Sequence, residues 1–234
     1  MNLNASIFSK GREKALALTQ KRVKQILVCV INSYEKIIAD GVVFDFNDRG
    51  TYSQEDYLTS ELVENYFQNE LDLLNSGTTD YSVAGHNSEE KYYDDNDKPR
   101  PDKIDIQIVD TALKNSLAVQ EKTYFAIECK RLGSISEYVN DTKKITERNH
   151  KMFRLPFEGQ LGFIENPDWN YETVKDKVND KLSKNSTIET TKLLEAMVLK
   201  EKFDGSYYSE HKKINKIPFS VFHLFFNYSK IVLN

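Results

Sequence analysis

Along residues 13–39, "EKALALTQKRVKQILVCVINSYEKIIA", apolar side chains return at steps of three, four and seven: Leu16, Val23, Leu27, Val30, Tyr34 and Ile38. That spacing predicts a long amphipathic helix, stopped by Gly41. "VVFDFNDRG" follows as a short strand or turn, and a second helix is expected over 54–75, with Ser53 as its N-cap and "NSGTTD" at its end. From Tyr81 the period shortens. "DYSVAGHNSEEKYYDDNDKPRP" is a polar connection that can open with a strand. "KIDIQIVD" then alternates, with Ile104, Ile106 and Ile108 on one face and Lys103, Asp105 and Gln107 on the other. "TYFAIECKRL" alternates too, setting Phe125, Ile127 and Cys129 against Ala126, Glu128 and Lys130.

The rest of the chain returns to mixed texture. "SEYVNDTKKITERNHKMFR" reads as a helix rich in basic residues, and "EGQLGFIE" as a buried strand. "NYETVKDKVNDKLSKN" and "TIETTKLLEAMVLKEKF" read as polar helical material, and "IPFSVFHLFFNYSKIVLN" closes with one or two β runs. No repeat and no Gly/Ser-rich linker divides the chain. The expectation is one α/β domain over 51–234 carrying an N-terminal helical extension, residues 1–50, whose apolar face docks on the core.

Composition narrows the class. Of 234 residues, 39% are hydrophobic and 12% aromatic, enough for a substantial core and against wholesale disorder. The net charge of −4 weakens nucleic-acid binding as a reading without removing it, because basic residues can gather on one face. Cys29 and Cys129 sit in apolar runs as two buried thiols, too few for a disulfide framework or a zinc quartet. No stretch is long and apolar enough to span a membrane, and the first 20 residues lack the apolar segment of a secretion signal. These features point to the cytoplasm. The absence of GxxxxGK[ST], GxSxG and CxxC patterns removes P-loop ATPases, serine hydrolases and zinc ribbons.

The chemistry concentrates in the two alternating runs. Side chains two apart on a strand share a face, so Glu128 and Lys130 point the same way. If the strands are neighbours, about 4.8 Å apart, Asp105 and Glu128 can reach a common divalent ion. Asp102 competes with Asp105 for that role, but alternation puts it on the face of Ile104 and Ile106, and Asp105 is preferred. Charged outer faces are also the ordinary decoration of half-buried strands. His86 in "AGHNSEE" reads as a loop histidine, His223 in "VFHLFF" as structural, and Trp169 as a loop anchor.

Asp105 within "KIDIQI", with Glu128 and Lys130 within "FAIECKRL", resembles the PD-(D/E)XK nuclease superfamily, whose restriction-endonuclease-like fold is a central mixed sheet flanked by helices. The resemblance covers residues 55–165 and the closing β run. It implies a Mg²⁺-dependent endonuclease, with Mn²⁺ able to substitute, that hydrolyses phosphodiester bonds in DNA. Asp105 and Glu128 would hold the ion and Lys130 would assist the attacking water. A glutamate on the first core helix often completes such sites. On a helical wheel of 54–75 the apolar stripe runs through Leu58, Leu62, Tyr66 and Leu73, and both Glu55 and Glu70 fall within it. Glu55 is the choice and Glu70 the reserve. Lys143, Lys144, Arg148, Lys151 and Arg154 would meet phosphates, although Asp141 and Glu147 make an ordinary solvated face the competing reading. The implied setting is restriction or anti-phage defence, with a homodimer or a defence-system protein as partner. A nuclease-fold binding or regulatory subunit without cleavage is the alternative, and RNA is not separable from DNA by these residues.

Overall fold

The computed structural model describes residues 3–93, 98–117, 123–147, 155–213 and 216–233. The elements in chain order are α1 (Leu3–Ala39), β1 (Phe44–Asp45), α2 (Gln54–Leu62), a π-helical turn (Val63–Phe67), α3 (Gln68–Asn75), β2 (Ser82–Tyr93), β3 (Pro99–Asp110), α4 (Thr111–Leu117), β4 (Tyr124–Arg131), α5 (Ile135–Glu147), β5 (Phe157–Ile164), α6 (Tyr171–Lys184), β6 (Glu189–Ala196), β7 (Ser206–Lys212), β8 (Pro218–Asn227) and β9 (Val232–Leu233). The seven long strands form one mixed sheet ordered β2-β3-β4-β5-β8-β7-β6. β4, β5 and β8 are mutually parallel, and the outer pairs are antiparallel. This is an α/β architecture, with helices on a seven-stranded mixed sheet and a long helix at the N-terminus.

The chain before residue 50 shares the main core. Val23, Ile26, Leu27, Val30 and Ile37 of α1 are fully buried with Phe163, Leu161 and Phe226 of the sheet, and Tyr34 stacks on Phe226 at a centroid distance of 4.3 Å. Arg22 pairs with the buried carboxylate of Asp110 at 2.8 Å, which also accepts from Ser82 Oγ and the Leu113 amide. The Asp110 cluster thereby pins α1 to the base of β2, β3 and α4. Leu16 and Ile38, expected on the buried stripe, are exposed, because the core-facing positions rotate onto Ile26 and Ile37. The stop at Gly41 (φ +65°) is a Schellman closure: Val42 N–H donates to Ile37 O and Gly41 N–H to Ile38 O. β1 then pairs in parallel with β9, tying the segment after α1 to the last described strand.

The helix expected over 54–75 is continuous but not regular. The π turn inserts one extra residue and rotates everything after it by about one residue's arc. Phe67 and Leu71 therefore enter the core, while Leu73, expected on the apolar stripe, is exposed. "TIETTKLLEAMVLKEKF", read as helical, supplies strand β6 instead. Its Thr-rich edge buries only Leu194, so it lacks the strong alternation that would mark a strand. β7 and α4 were not anticipated.

Candidate active site

The site forms where the sheet loosens. The β3–β4 ladder stops at Ile106↔Ile127, one residue short of Asp105 and Glu128. Beyond it the Asp105 carboxylate accepts from the Cys129 amide at 2.7 Å, taking the place of a backbone acceptor. Alternation does not survive this break. Ile104, expected beside Ile106 and Ile108, packs in a separate cluster with Tyr124 and Ala126. On the other side of β3, the pairing partner expected opposite Asp105 is Asn87, whose left-handed backbone (φ +54°) drops out of the β2 ladder.

Glu55 reaches this break from above. Ser53 caps α2, accepting from the Asp56 amide at 3.0 Å, so Glu55 lies in the first turn and points at the end of β4. Its two oxygens accept from Lys130 Nζ at 2.9 Å and from the Arg131 amide at 3.0 Å. Arg131 is held in turn by Glu165 and Gln54 and lies 4.8 Å over the Phe46 ring. Lys130 Nζ also lies 3.4 Å from Asp141 of α5, whose other oxygen binds Lys144 at 2.6 Å. Glu70, the reserve candidate, is buried but faces α1, paired with Lys36 and Asn32.

Glu55, Asp105, Glu128 and Lys130 thus line one open cavity of about 430 Å³, together with Asp56, Asp102, Lys103, Asp141, Lys144 and Glu147. Tyr92 and Pro101 of the β2–β3 hairpin form its outer wall. Among the described residues, seven carboxyl groups against three lysines make the cavity acidic. Burial, with the Glu55 charge adding to it and the Cys129 amide opposing, raises the Asp105 carboxyl to about 6. For Lys130 burial alone would lower the pKa, but the Glu55 hydrogen bond and the charges of Glu55 and Asp141 win, and the ammonium is held well above its usual value.

Among the described residues no group of three or more acidic, histidine or cysteine side chains is drawn together tightly enough to hold an ion. The donor chemistry nonetheless suits a hard cation. Carboxylate oxygens are the natural ligands of Mg²⁺, and the Glu55 charge that adds to burial in raising Asp105 is one that a cation would offset.

Four of the lining carboxylates escape the sequence reading: Asp56, Asp102, Asp141 and Glu147. Asp102, set aside by alternation, is 2% exposed and lines the cavity. Asp141 sat in a helix read for its cations. Its spacing from Ile135 and Tyr138, in steps of three, carries the signal that it shares the inward face. Of the residues expected at phosphates, Lys144 lines the cavity, whereas Lys143 pairs with Glu147 and does not. Arg148, Lys151 and Arg154 lie outside the described residues. No helix among the described residues is long and apolar enough to cross a membrane. Comparison with known proteins yields no match to this chain among family models, curated proteins or solved structures.

Proposed function

We propose that the sheet is a restriction-endonuclease-like core and that the chain is a metal-dependent endonuclease of the PD-(D/E)XK type, cutting phosphodiester bonds in DNA. The observation that carries this reading is convergence: Asp105, Glu128 and Lys130 from two strands and Glu55 from a capped helix meet in one acidic cavity. A polyanion does not approach seven carboxyl groups unless cations intervene, which favours a metal-loaded site over bare electrostatic binding. Glu55, Asp105 and Glu128 are the side chains that would hold Mg²⁺ or Mn²⁺. Such an ion, when bound, supplies stabilisation of phosphoryl charge and a more acidic bound water.

The chain's own groups have narrower tasks. Lys130 stays cationic at neutral pH, so it orients the attacking water and offsets phosphoryl charge rather than removing a proton. Glu55 and Asp141 fix its direction. Lys144 offers a cation at the rim of the cavity. The setting such an enzyme fits is restriction or anti-phage defence, as a homodimer or with a partner protein.

The test is plasmid cleavage over graded Mg²⁺ and Mn²⁺, with the wild type and Lys130→Ala side by side. Metal-dependent nicking or linearisation that disappears in the variant is the expected result. Equal cleavage by both overturns the mechanism. One observation favours a second reading, a nuclease-fold binding subunit: the Lys130 ammonium is already engaged by two carboxylates. That reading requires wild type to shift nucleic acid, or capture a protein, without any divalent-dependent product.

A further inference from the structure

On the far side of Asp56 from the acidic cavity lies a second pocket of about 520 Å³, lined by Tyr52, Val63, Glu64, Gln68, Ala84, His86 and Asn87. Its size falls within the range of small-molecule sites, about 300–1,000 Å³. Two side-chain atoms of its lining residues, His86 Nε2 and Asn87 Oδ1, are buried without a hydrogen-bond partner. The His86 side chain is only 8% exposed, and the nearest carboxylate oxygen, on Asp56, stands 3.9 Å from Nε2. Unpaired buried polar atoms cost about 1–3 kcal/mol each and are rare enough in folded proteins to need a reason.

The backbone adds independent evidence. Asn87 holds a left-handed conformation in the middle of a long strand, opposite Asp105. Such strain persists where the surroundings impose it, and it gathers at functional sites. The π turn that supplies Val63 and Glu64 to the wall is a second local irregularity of the same kind. The Ala84 amide is already occupied by Gln68 Oε1, so pairing of an added strand is not what this wall is built for.

Polarity identifies the occupant. His86 Nδ1 lies 3.4 Å from the Asn87 side-chain amide nitrogen, which donates to it and leaves Nε2 to carry the ring proton. Burial lowers the His86 pKa and keeps the ring neutral. The pocket therefore offers one unused donor and one unused acceptor on adjacent residues, next to the half-exposed Tyr52 ring, 6.3 Å from the His86 ring. Its charged neighbours among the described residues are Asp56, Glu64 and Lys103; Lys103 is spent on Asp56 at 3.2 Å, so Glu64 on the wall leaves the pocket without a free cation for a phosphate. A neutral, planar heterocycle whose edge carries an acceptor beside a donor meets all of these conditions. Resting on the nucleic-acid reading of the neighbouring cavity, we infer that this pocket receives a nucleobase of the substrate strand. Tyr52 supplies the stacking face, and His86 and Asn87 read the base edge.

The test measures binding with Ca²⁺ present, a hard cation that offsets the cavity's carboxylates, on probes checked by gel to be uncut at the end of the titration. A fluorescent oligothymidylate and an abasic deoxyribose-phosphate chain of equal length are titrated by anisotropy against wild type, Asn87→Gly and Tyr52→Ala. Glycine keeps the left-handed backbone at no steric cost, and Tyr52 is surface-exposed, so it carries the test even if the Asn87 variant misfolds. Both variants should lose about tenfold in affinity for the oligothymidylate and nothing for the abasic chain. Equal binding of the two probes by wild type, or equal loss of both in the variants, overturns the pocket. Plasmid cleavage run in parallel separates the two readings. Cleavage without base discrimination sinks the pocket alone. Discrimination lost in the variants, in a wild type that never cleaves, sinks the hydrolase alone. A wild type that binds neither probe sinks both.

Discussion

Two polar clusters meet along the buried face of α5, and they are built on opposite rules. In the acidic cavity, carboxyl groups outnumber cations, one of them is pushed to about 6, and the space is open. Beyond Tyr138 runs a sealed chain. Thr190 Oγ1 contacts His211 Nδ1 at 3.1 Å, and Ser209 Oγ bridges His211 Nε2 at 2.7 Å and His223 Nε2 at 2.8 Å. His223 Nδ1 then meets the Tyr138 hydroxyl at 2.9 Å. Ser209, His211, His223 and Tyr138 are each 1% exposed or less. Here every ring nitrogen has a partner and no net charge is carried. A buried polar network that is fully satisfied fixes a unique packing, whereas one with surplus charge and a way in is arranged for a ligand. α5 serves both: Tyr138 belongs to the sealed chain, and Asp141, three residues on, touches Lys130.

The sharpest way to break this contrast is to remove charge from the cavity. Asp105→Asn and Lys130→Ala should lower metal-dependent cleavage by about 10²-fold or more, since each removes a group required at the reacting phosphate. Stability should move the other way for Asp105→Asn. An ionised Asp105 is disfavoured by folding at neutral pH, so the amide should raise stability by about 1 kcal/mol in urea unfolding without divalent ions. In the sealed chain the signs reverse. His223→Ala leaves a cavity and a Tyr138 hydroxyl with only the long 3.5 Å contact to Gln160 O, at a cost of roughly 3 kcal/mol, with cleavage per folded molecule little changed. A His223 variant that kept full stability would show the chain to be something other than packing.

Acid should pull the two regions in opposite directions. Burial lowers His211 from 6.5 to about 4, and lowers His223 as well, helped by the charge of His211. As pH falls the unfolded chain takes up these protons first. The stability from neutral, buried histidines is therefore complete above 6.5 and is lost through that window, by about 3 kcal/mol for His211 alone. Asp105, raised from 3.8 to about 6, does the reverse: its contribution grows as pH falls through 6 toward 3.8. Wild type should therefore lose less stability between pH 6.5 and 4 than Asp105→Asn, in which only the histidine loss remains. Identical pH profiles would deny that the two clusters titrate as described.

The sequence spoke unevenly about the two regions. The cavity's strand residues were legible because they broke an alternation that was otherwise clean: Asp105 between isoleucines, and Glu128 and Lys130 flanking Cys129. Glu55 was legible because Ser53 announced a helix start two residues before it. Asp102 and Ile104 were misplaced for a shared reason, since period-2 reasoning assumes a continuous ladder and this one ends at Ile106. The wheel failed at Leu73 because no residue type marks a π turn. The sealed chain was almost invisible. Its contacts join Tyr138 to His223, 85 residues apart, and only the fold brings them together. Histidine in an apolar strand correctly suggested structure, but nothing local named its partners.

The smallest effect tests whether positioning alone matters in the cavity. Ser53→Ala removes the hydroxyl that accepts the Asp56 amide and should cost about 1 kcal/mol of stability, the usual worth of an N-cap. A loss of that size at a surface helix end is otherwise unremarkable, and the same change in α6, Asn170→Ala, should match it in denaturation. The two variants should part in the cleavage assay. The first turn of α2 carries Glu55, which holds both Lys130 Nζ and the Arg131 amide, so fraying there loosens the group that aims the ammonium. α6 caps no part of the acidic cavity. Ser53→Ala should therefore lower the cleavage rate several-fold at saturating metal while Asn170→Ala leaves it unchanged, at equal loss of stability. Equal rates for the two would mean that the Glu55 carboxylate is held by β4 itself, with the helix cap contributing only stability.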